Sequence, residues 1–294
     1  MIESKSFLSR LFDVINYLFL GILTILFLYP MWHVLMGSLS VPFELYTHSG
    51  LIFWPLGNFS LAGYKHVFSN VNLVVGYQNT IFYVVVGTLC NVLITILGAY
   101  VLSRRELALK KLYSLMVVFT MYFGGGLIPT FLVVKGLGLL DSRWALILPG
   151  LVGTWNMIVM RTSFKAIPPS LEESARIDGA NDFTILFRII APVAKATIAV
   201  MILFYAVGHW NSWFNAAIYL TDRGKYPLQL FLREILLIST ANNEFGDLEM
   251  GEALFLEKSI RYGMIIISTI PILCIYPFVQ RYFMKGVMMG SIKE

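Results

Sequence analysis

The chain has 294 residues, of which 57% are hydrophobic and only 13% are charged, and its mean hydropathy is +0.74. A soluble domain carries about 25% charged residues, so this composition argues against a soluble enzyme. The formal net charge of +5 does not indicate nucleic-acid binding, because the basic residues of membrane proteins concentrate in cytoplasmic loops.

Six apolar segments predict transmembrane helices, because the core of a bilayer requires roughly 20 apolar residues per helix. They are Val14–Met36, Val75–Leu102, Leu112–Val134, Trp144–Met160, Val193–Leu220 and Tyr262–Phe283. The fourth segment is the shortest, and Pro149 and Gly150 interrupt it. The expected fold class is all-α, a polytopic membrane protein with about six transmembrane helices.

Basic residues set the predicted orientation of these helices. With the N-terminus in the cytoplasm, most of the 22 lysines and arginines fall in inside segments, as the positive-inside rule requires. Both termini are therefore expected in the cytoplasm. Apolar residues at helical spacing predict an amphipathic cytoplasmic segment over 1–13, followed by a transmembrane domain over 14–283 and a cytoplasmic tail over 284–294.

The inside loop 161–192 is the most informative part of the chain. Two prolines end any preceding helix, and Ser170 followed by Glu173 matches a capping box that starts a new helix. Gly179 then supplies a helix terminus at low steric cost.

A second short helix is expected after this glycine, capped by Asn181 or Asp182. Its predicted buried face consists of Phe183, Leu186, Phe187 and Ile190. Two short helices with an exposed polar rim suit insertion into a groove on a soluble partner. An ordinary amphipathic connector between two spans is the alternative that the residues alone leave open.

The same loop resembles the EAA loop of ABC importer permeases, which has a Glu-Ala-Ala sequence, a glycine four residues on, and an Ile-x-Leu-Pro ending. The matching residues are Glu173, Ser174, Ala175, Gly179, Ile189 and Pro192. Ser174 replaces the first alanine and Ala191 replaces the leucine. Both replacements are small or apolar, so the shape of the loop is expected to persist.

Stretches outside the loop are similar to carbohydrate-type permeases of the maltose-transporter class. They are Gly124–Thr130, Gly138–Asp141, Trp210-Asn211 with Trp213-Phe214, Tyr226–Gln229 and Arg281–Lys293. Together they look closest to the second permease of oligosaccharide and polysaccharide-fragment importers. The resemblance implies a type I ABC importer permease fold.

The resemblance also implies the partners. This chain would be a permease subunit in a bacterial plasma membrane, paired with a second permease as a heterodimer. Two cytoplasmic ATP-binding subunits, an extracellular solute-binding protein and a carbohydrate substrate would complete the system. ATP and Mg would bind to the ATP-binding subunits, and this chain, which contains no Gly-x-x-x-x-Gly-Lys-Ser/Thr loop, would bind no cofactor and catalyse no reaction.

By the same resemblance the loop contacts an ATP-binding subunit, and Glu173 would pair with a basic group there. Glu172 competes for this role, because a capping box would already occupy the carboxylate of Glu173. The expected coupling residues are Glu172, Glu173, Ser174, Ala175, Asp178, Gly179, Ala180 and Pro192. The tail over 284–294 would either reach toward the same interface or be a frayed, solvated end.

Polar residues within apolar spans are costly in lipid and usually face a cavity or another helix. Candidates for a substrate path are Asn79, Asn91, Asn156, Trp210, Asn211, Trp213 and Asn215. Amides bond sugar hydroxyls and aromatic faces stack on sugar rings. The alternative for Trp210 and Trp213 is an aromatic belt at the membrane interface. No metal-ligand pattern occurs in the sequence.

Three rival functions remain at the level of sequence. The first is an ABC permease for a non-sugar solute such as a peptide or a metal, which the EAA loop alone would allow. The second is an intramembrane enzyme, which would need a catalytic pair within the spans. The third is a channel, which would not need a docking loop.

Overall fold

The computed structural model describes residues 7–104, 106–238 and 250–291, and within these ranges every regular element is helical. The all-α prediction is confirmed. In chain order the α-helices are α1 (Phe7–Ser38), α2 (Pro42–Thr47), α3 (Ala62–Ser69), α4 (Val71–Phe82), α5 (Thr88–Ser103), α6 (Lys110–Tyr122), α7 (Leu127–Gly136), α8 (Thr154–Lys165), α9 (Ser170–Ile177), α10 (Asp182–Ile185), α11 (Ala191–Val193), α12 (Lys195–Trp210), α13 (Phe214–Tyr219), α14 (Leu228–Ile238) and α15 (Met250–Ser291). The π-helical turns Tyr83–Gly87 and Leu186–Ile190 join α4 to α5 and α10 to α11, and 3₁₀ turns occupy Arg143–Leu146 and Arg223–Lys225.

Three of the predicted spans coincide with helices long and apolar enough to cross a membrane. These stretches are Ser9–Ser38, Val71–Ser103 and Phe255–Ile275. The first is α1, in which no residue of the most apolar window is buried within the chain. A helix that is apolar on all sides and buries nothing in its own subunit requires an apolar surrounding.

The predicted third span, Leu112–Val134, is not one continuous helix. The axes of α6 and α7 form an angle of 115°, because three consecutive glycines separate them and Gly126 has φ +88°. Such a backbone conformation strains any residue with a Cβ atom. A second bent pair, with an angle of 87°, consists of Asp182–Val193 and Lys195–Trp210. If each bent pair is one span, the candidate spans within the described ranges number up to five.

The predicted fourth and fifth spans are wrong as continuous helices. In the range of the fourth, a 3₁₀ turn ends at Leu146 and α8 begins only at Thr154, because Pro149 and the glycines around it cannot sustain a helix. In the range of the fifth, α12 ends at Trp210 and the short α13 follows.

The predicted N-terminal segment and C-terminal tail are continuous with the long helices α1 and α15 and do not form separate segments. Residues 7–13 belong to the same continuous helix as the first span, and residues 1–6 lie outside the described part. The tail is helical through Ser291, and 292–294 lie outside the described residues. Residues 239–249, between α14 and α15, are likewise outside them.

The chain divides into two compact units, one comprising Met1–Val71 and Ile235–Ile270 and the other Asn72–Glu234 and Pro271–Glu294. In the first unit a small core forms around Met36, Leu45 and Ile52. The ammonium group of Lys258 donates to the carbonyl oxygens of Leu45 and His48, each at 3.0 Å. Those carbonyls lie at the C-terminal end of α2, where a helix lacks hydrogen-bond donors.

In the second unit, α5 packs against α8 and α12, and the loop 161–192, which we call the coupling loop after its predicted role, packs onto the same core. Its fully buried members include Ala99, Met160, Ile185, Ile190 and Met201. This arrangement places the loop directly on the end of the second span. The core thus links the loop to α5, α8 and α12.

Close packing of α3 on α15 depends on Gly63. A Cβ atom at this position would lie 2.8 Å from the backbone carbonyl oxygen of Ser259, so we expect Gly63→Ala to destabilise the protein by about 1–3 kcal/mol through overpacking. Gly21→Ala is the matched control, since no atom lies within 4 Å of its Cβ position and alanine favours a helix by up to about 1 kcal/mol. Thermal unfolding of the purified protein in detergent checks both. Equal midpoints for the two variants would contradict the close contact.

Candidate functional site

The first coupling helix, α9, begins differently from the prediction. Ser170 is already helical, and its side chain makes no capping hydrogen bond. The backbone N–H of Glu173 donates to the carbonyl of Pro169 at 3.0 Å, so it is unavailable to the hydroxyl of Ser170. The predicted capping box is therefore wrong, because the two prolines start the helix with their own carbonyl groups. Proline suits this position, since its missing N–H would have no partner there.

The end of α9 matches the prediction for Gly179. This residue has φ +81°, and its N–H donates to the carbonyl of Arg176 at 3.0 Å. The N–H of Ala180 donates to the carbonyl of Ala175 at 2.9 Å. This pair of bonds is the Schellman motif, which needs a left-handed residue and favours glycine there. The side chain of Asn181 then caps α10 by accepting from the N–H of Thr184 at 2.8 Å.

The predicted apolar face of the second helix is only partly correct. Leu186 and Ile190 are buried, together with Ile185, which the prediction omitted. Phe183 and Phe187 are exposed by 68% and 43%. The π-helical turn that begins at Leu186 has a wider hydrogen-bond pattern than an α-helix. It therefore shifts the residues that face the core away from the α-helical pattern.

The two adjacent glutamates of α9 have different surroundings. Glu172 forms an ion pair with Arg104, at the end of the second span, and both side chains are largely shielded from solvent. Glu173 is exposed and makes no ion pair or side-chain hydrogen bond within the described part of the chain. Burial lowers the pKa of the Arg104 guanidinium from its ordinary value. The exposed carboxylate of Glu173 is free to bind another subunit.

The other predicted coupling residues lie around this carboxylate. Ser174, Asp178 and Gly179 are exposed, whereas Ala175 is buried against the core. Ala180 is partly buried, and Pro192 lies exposed in α11. The loop therefore presents one polar surface to solvent, and its opposite surface is packed against the core.

The irregular segment before α8 is held by polar side chains of two neighbouring helices. The side-chain amide of Asn91 donates to the carbonyls of Gly150 and Leu151, each at 2.8 Å. Its oxygen lies 2.6 Å from Nε2 of His209. Asn91 is fully buried, so all of its hydrogen-bonding groups have protein partners.

A second polar link holds the other end of this segment. The hydroxyl of Tyr205 in α12 accepts from the N–H of Gly153 at 3.0 Å. It also lies 2.7 Å from the hydroxyl of Thr95 in α5. Backbone groups away from water need such partners. The non-helical segment is thus built into the helix core.

Asn79, another candidate for the substrate path, is hydrogen-bonded within the protein and holds a backbone turn in place. It is buried, and its amide nitrogen donates to the carbonyls of Gly224 and Tyr226 at 2.8 and 3.1 Å. Its oxygen accepts from Nη2 of Arg143 at 2.9 Å. A scaffold role explains every contact of Asn79 and Asn91, and a substrate role for either stays a prediction.

The remaining candidates are more accessible. Asn211 and Asn215 are exposed, and Asn156 is partly buried. The ring of Trp213 lies 3.7 Å from the guanidinium carbon of Arg233. Trp210 is buried against Tyr77, and its indole N–H has no hydrogen-bond partner within the described residues. The accessible amides and the Trp213–Arg233 pair are the groups that could meet a solute.

Comparison with known proteins identifies the family. No family model matches the chain. It is 42% identical over 287 residues to the polygalacturonan/rhamnogalacturonan transport system permease protein of Bacillus subtilis, covering 97% of this chain and 99% of the relative. Protein LplC of Bacillus subtilis is also 42% identical, over 285 residues, with 97% and 96% covered. A solved bacterial ABC transporter involved in the import of the acidic polysaccharide alginate contains a chain that matches with TM-score 0.88 and 33% identity, covering 95% of this chain and 99% of that chain.

This chain belongs to the permeases of carbohydrate ABC importers. The family and the permease fold that the resemblance implied are confirmed. The permease is an integral membrane protein, as its composition and helices indicated.

Asp141, the last residue of the family-like stretch Gly138–Asp141, makes structural contacts that the sequence did not predict. Its carboxylate accepts from the backbone N–H groups of Asp222 and Thr221 at 3.0 and 3.1 Å and pairs with Lys225 at 3.2 Å. These backbone bonds hold the pKa of Asp141 below its ordinary value, and the bond to Asp141 raises the pKa of Lys225. The stabilisation is complete above the ordinary carboxyl pKa and is lost as the pH falls through the lowered value.

Replacement of Asn91 tests whether the irregular segment depends on it. Asn91→Leu keeps the side-chain volume similar but leaves two carbonyls and the His209 ring without their partner, so we expect a loss of about 1–3 kcal/mol. The midpoint of thermal unfolding of the purified complex should fall. Thr130→Val, at an exposed position whose hydroxyl bonds only within its own helix, is the control. An unchanged midpoint for Asn91→Leu would show that the segment does not need this residue.

Proposed function

We propose that this permease is one of two transmembrane subunits of an ATP-driven importer for oligosaccharides in a bacterial plasma membrane, with both termini in the cytoplasm. The observation that carries the proposal is the exposed carboxylate of Glu173 on a helix anchored to the core of the permease. The partners in this proposal are a second permease, two ATP-binding subunits and an extracellular solute-binding protein. ATP and Mg bind to the ATP-binding subunits.

In this mechanism the permease makes and breaks no covalent bond. Closure of the ATP-binding subunits moves the coupling loops, and the helices of the two permeases move between inward-facing and outward-facing states. Rigid attachment of the loop supports this role. Ala175, Ile185 and Leu186 are buried in the core that α5, α8 and α12 form, so a displacement of the loop displaces those helices.

The proposed substrates are oligosaccharides that carry carboxylate groups. The name of one relative specifies polygalacturonan and rhamnogalacturonan, and the solved transporter imports the acidic polysaccharide alginate. Trp213 and Arg233 offer an aromatic face and an exposed cation in contact with each other. A guanidinium binds carboxylates in a planar, two-bond geometry, and an aromatic face stacks on sugar rings.

Substrate-path roles are proposed for the accessible residues Asn211, Trp213 and Asn215. The same role is proposed for Asn156, near the start of α8, and for Trp210, at the end of α12. The amide of Asn211 donates to the carbonyl of Val207 at 3.0 Å, which leaves its oxygen open to a sugar hydroxyl. Asn79 and Asn91 support the path indirectly, through the backbone segments that they hold.

Reconstitution tests the function directly. The permease would be purified with its partner subunits, placed in proteoliposomes with the binding protein, and supplied with labelled oligogalacturonides and ATP. Uptake that requires ATP hydrolysis supports the proposal. ATP-dependent uptake of peptides or metal ions instead of any oligosaccharide would overturn it.

Glu173→Ala tests the docking role. The substitution removes an exposed charge that meets an ATP-binding subunit, so we expect the affinity between permease and ATP-binding subunits to fall by at least about tenfold, with membrane insertion unchanged. Co-purification yield and titration of ATP-binding subunits onto the permease measure this. Glu106→Ala removes another exposed acidic group and serves as the control. Equal affinities for the two variants would reject Glu173 as the docking residue.

Asn211→Ala tests the substrate path. Loss of one hydrogen bond to a sugar hydroxyl should raise the KM of uptake about fivefold to tenfold while complex yield stays unchanged. Asn58→Ala, at an exposed loop position, is the control. A KM equal to that of the wild type would show that Asn211 does not bind the substrate and makes only its bond to Val207.

A further inference from the structure

The end of the second span carries a charged contact with the coupling loop. Arg104 follows the last residue of α5, and its Nη1 atom pairs with Oε1 of Glu172 in α9. The exposed fractions of the two side chains are 19% and 18%. Solvent therefore screens this pair less than a surface pair, and loss of either partner leaves an uncompensated charge in a shielded place.

Neighbouring groups fix the position of the Arg104 guanidinium. It lies 4.2 Å from the centroid of the Tyr100 ring, within the range of a cation–π contact. The Tyr100 hydroxyl donates to Oδ1 of Asp182 at 3.4 Å, and Arg176 donates to the same oxygen at 2.7 Å. The last turn of α5 thus contacts both short helices of the loop.

A cavity lies beside the contacts of Arg104, Glu172 and Asp182. This cavity of about 560 Å³ lies between the loop and the end of the span, lined among others by Leu97, Lys165, Pro169 and Phe183. The gap means that packing does not hold α9 along its whole length. The Arg104–Glu172 pair therefore connects the exposed helix to α5 across a region that side chains do not fill.

We propose that Arg104 and Glu172 are positioning residues that transmit displacement of the coupling loop to the second span. The inference rests on the proposed function, since it requires a loop that an ATP-binding subunit moves. From Arg104 the displacement continues along α5 to Asn91, which holds the irregular segment at Gly150 and Leu151. The neighbouring carboxylates then have separate tasks, because Glu173 meets the partner and Glu172 engages the permease itself.

The test measures coupling in the complete complex in proteoliposomes, as oligogalacturonide molecules taken up per ATP hydrolysed. We expect Arg104→Ala and Glu172→Gln each to lower this ratio about tenfold, which corresponds to roughly 1.4 kcal/mol. The substrate-stimulated ATPase rate should stay within about twofold of wild type. The charge-reversed double variant, Arg104→Glu with Glu172→Arg, should recover much of the ratio. Arg104→Lys should be intermediate, because lysine keeps the charge but not the planar contact with Tyr100.

Lys111→Ala is the matched control, since it removes an exposed positive charge close to Arg104 in the sequence. Wild-type ratios for both Arg104→Ala and Glu172→Gln would overturn the inference. So would a double variant as defective as the single ones, or failure of both single variants to assemble, which would make the pair an element of folding. Absence of uptake by the wild-type complex would instead overturn the proposed function and the inference with it.

Discussion

The structure depends on one constraint, which is that backbone N–H and C=O groups in a bilayer must find partners within the protein. The permease interrupts its helices repeatedly in apolar parts of the chain, and neighbouring side chains supply the missing partners at the breaks where contacts are seen. Asn91 and Tyr205 serve the segment around Gly150 and Gly153. Asn79 supplies partners in the same way to the backbone of a polar turn, at Gly224 and Tyr226.

These polar side chains explain how the permease can contain interrupted helices whose backbone groups still have hydrogen-bond partners. Polar groups in the membrane are retained where they have a task, and here the task is to hold broken backbone in a defined position. In the proposed mechanism, a helix core held together in this way is displaced as one body when the loop at its end moves. The coupling loop contacts that end through buried apolar side chains and through the Arg104–Glu172 pair.

The loop itself divides its residues between two surfaces. Ala175 faces the core, while Glu173 and Ser174 face solvent. The Schellman motif at Gly179 turns the chain sharply between α9 and α10, and it allows both helices to contact the same span. One face of the loop is therefore available to a partner, and the other is fixed to the permease.

Local sequence rules predicted the parts of this architecture that depend on local chemistry. The glycine terminus at Gly179 and the cap at Asn181 follow from backbone preferences of single residues, and both are confirmed. Hydropathy predicted the long first, second and last spans.

The wrong predictions concern features that depend on contacts distant in the sequence or on shifts in helix geometry. Hydropathy could not separate the bent pair at Gly124–Gly126 from one straight span, because both have the same composition. The capping box failed because a preceding proline carbonyl had already taken the N–H of Glu173. Phe187 was misplaced because it lies in a π-helical turn that no pattern in the sequence predicts, and Phe183 was misplaced because Ile185 takes the buried position in the preceding turn. The contacts of Arg104 and Asp141 gave no signal, since their partners lie 68 and 80 or more residues away along the chain.

The most direct test of the account places a photo-cross-linking amino acid at position 174, beside Glu173 on the exposed face of α9, in native membranes. Mass spectrometry then identifies what becomes attached. If an ATP-binding subunit moves the loop, a covalent adduct with that subunit forms, in a yield that changes when ATP is added. Adducts with lipid or with the permease alone, at any concentration of ATP, would contradict this expectation, because the exposed face of the loop would then have no partner to move it.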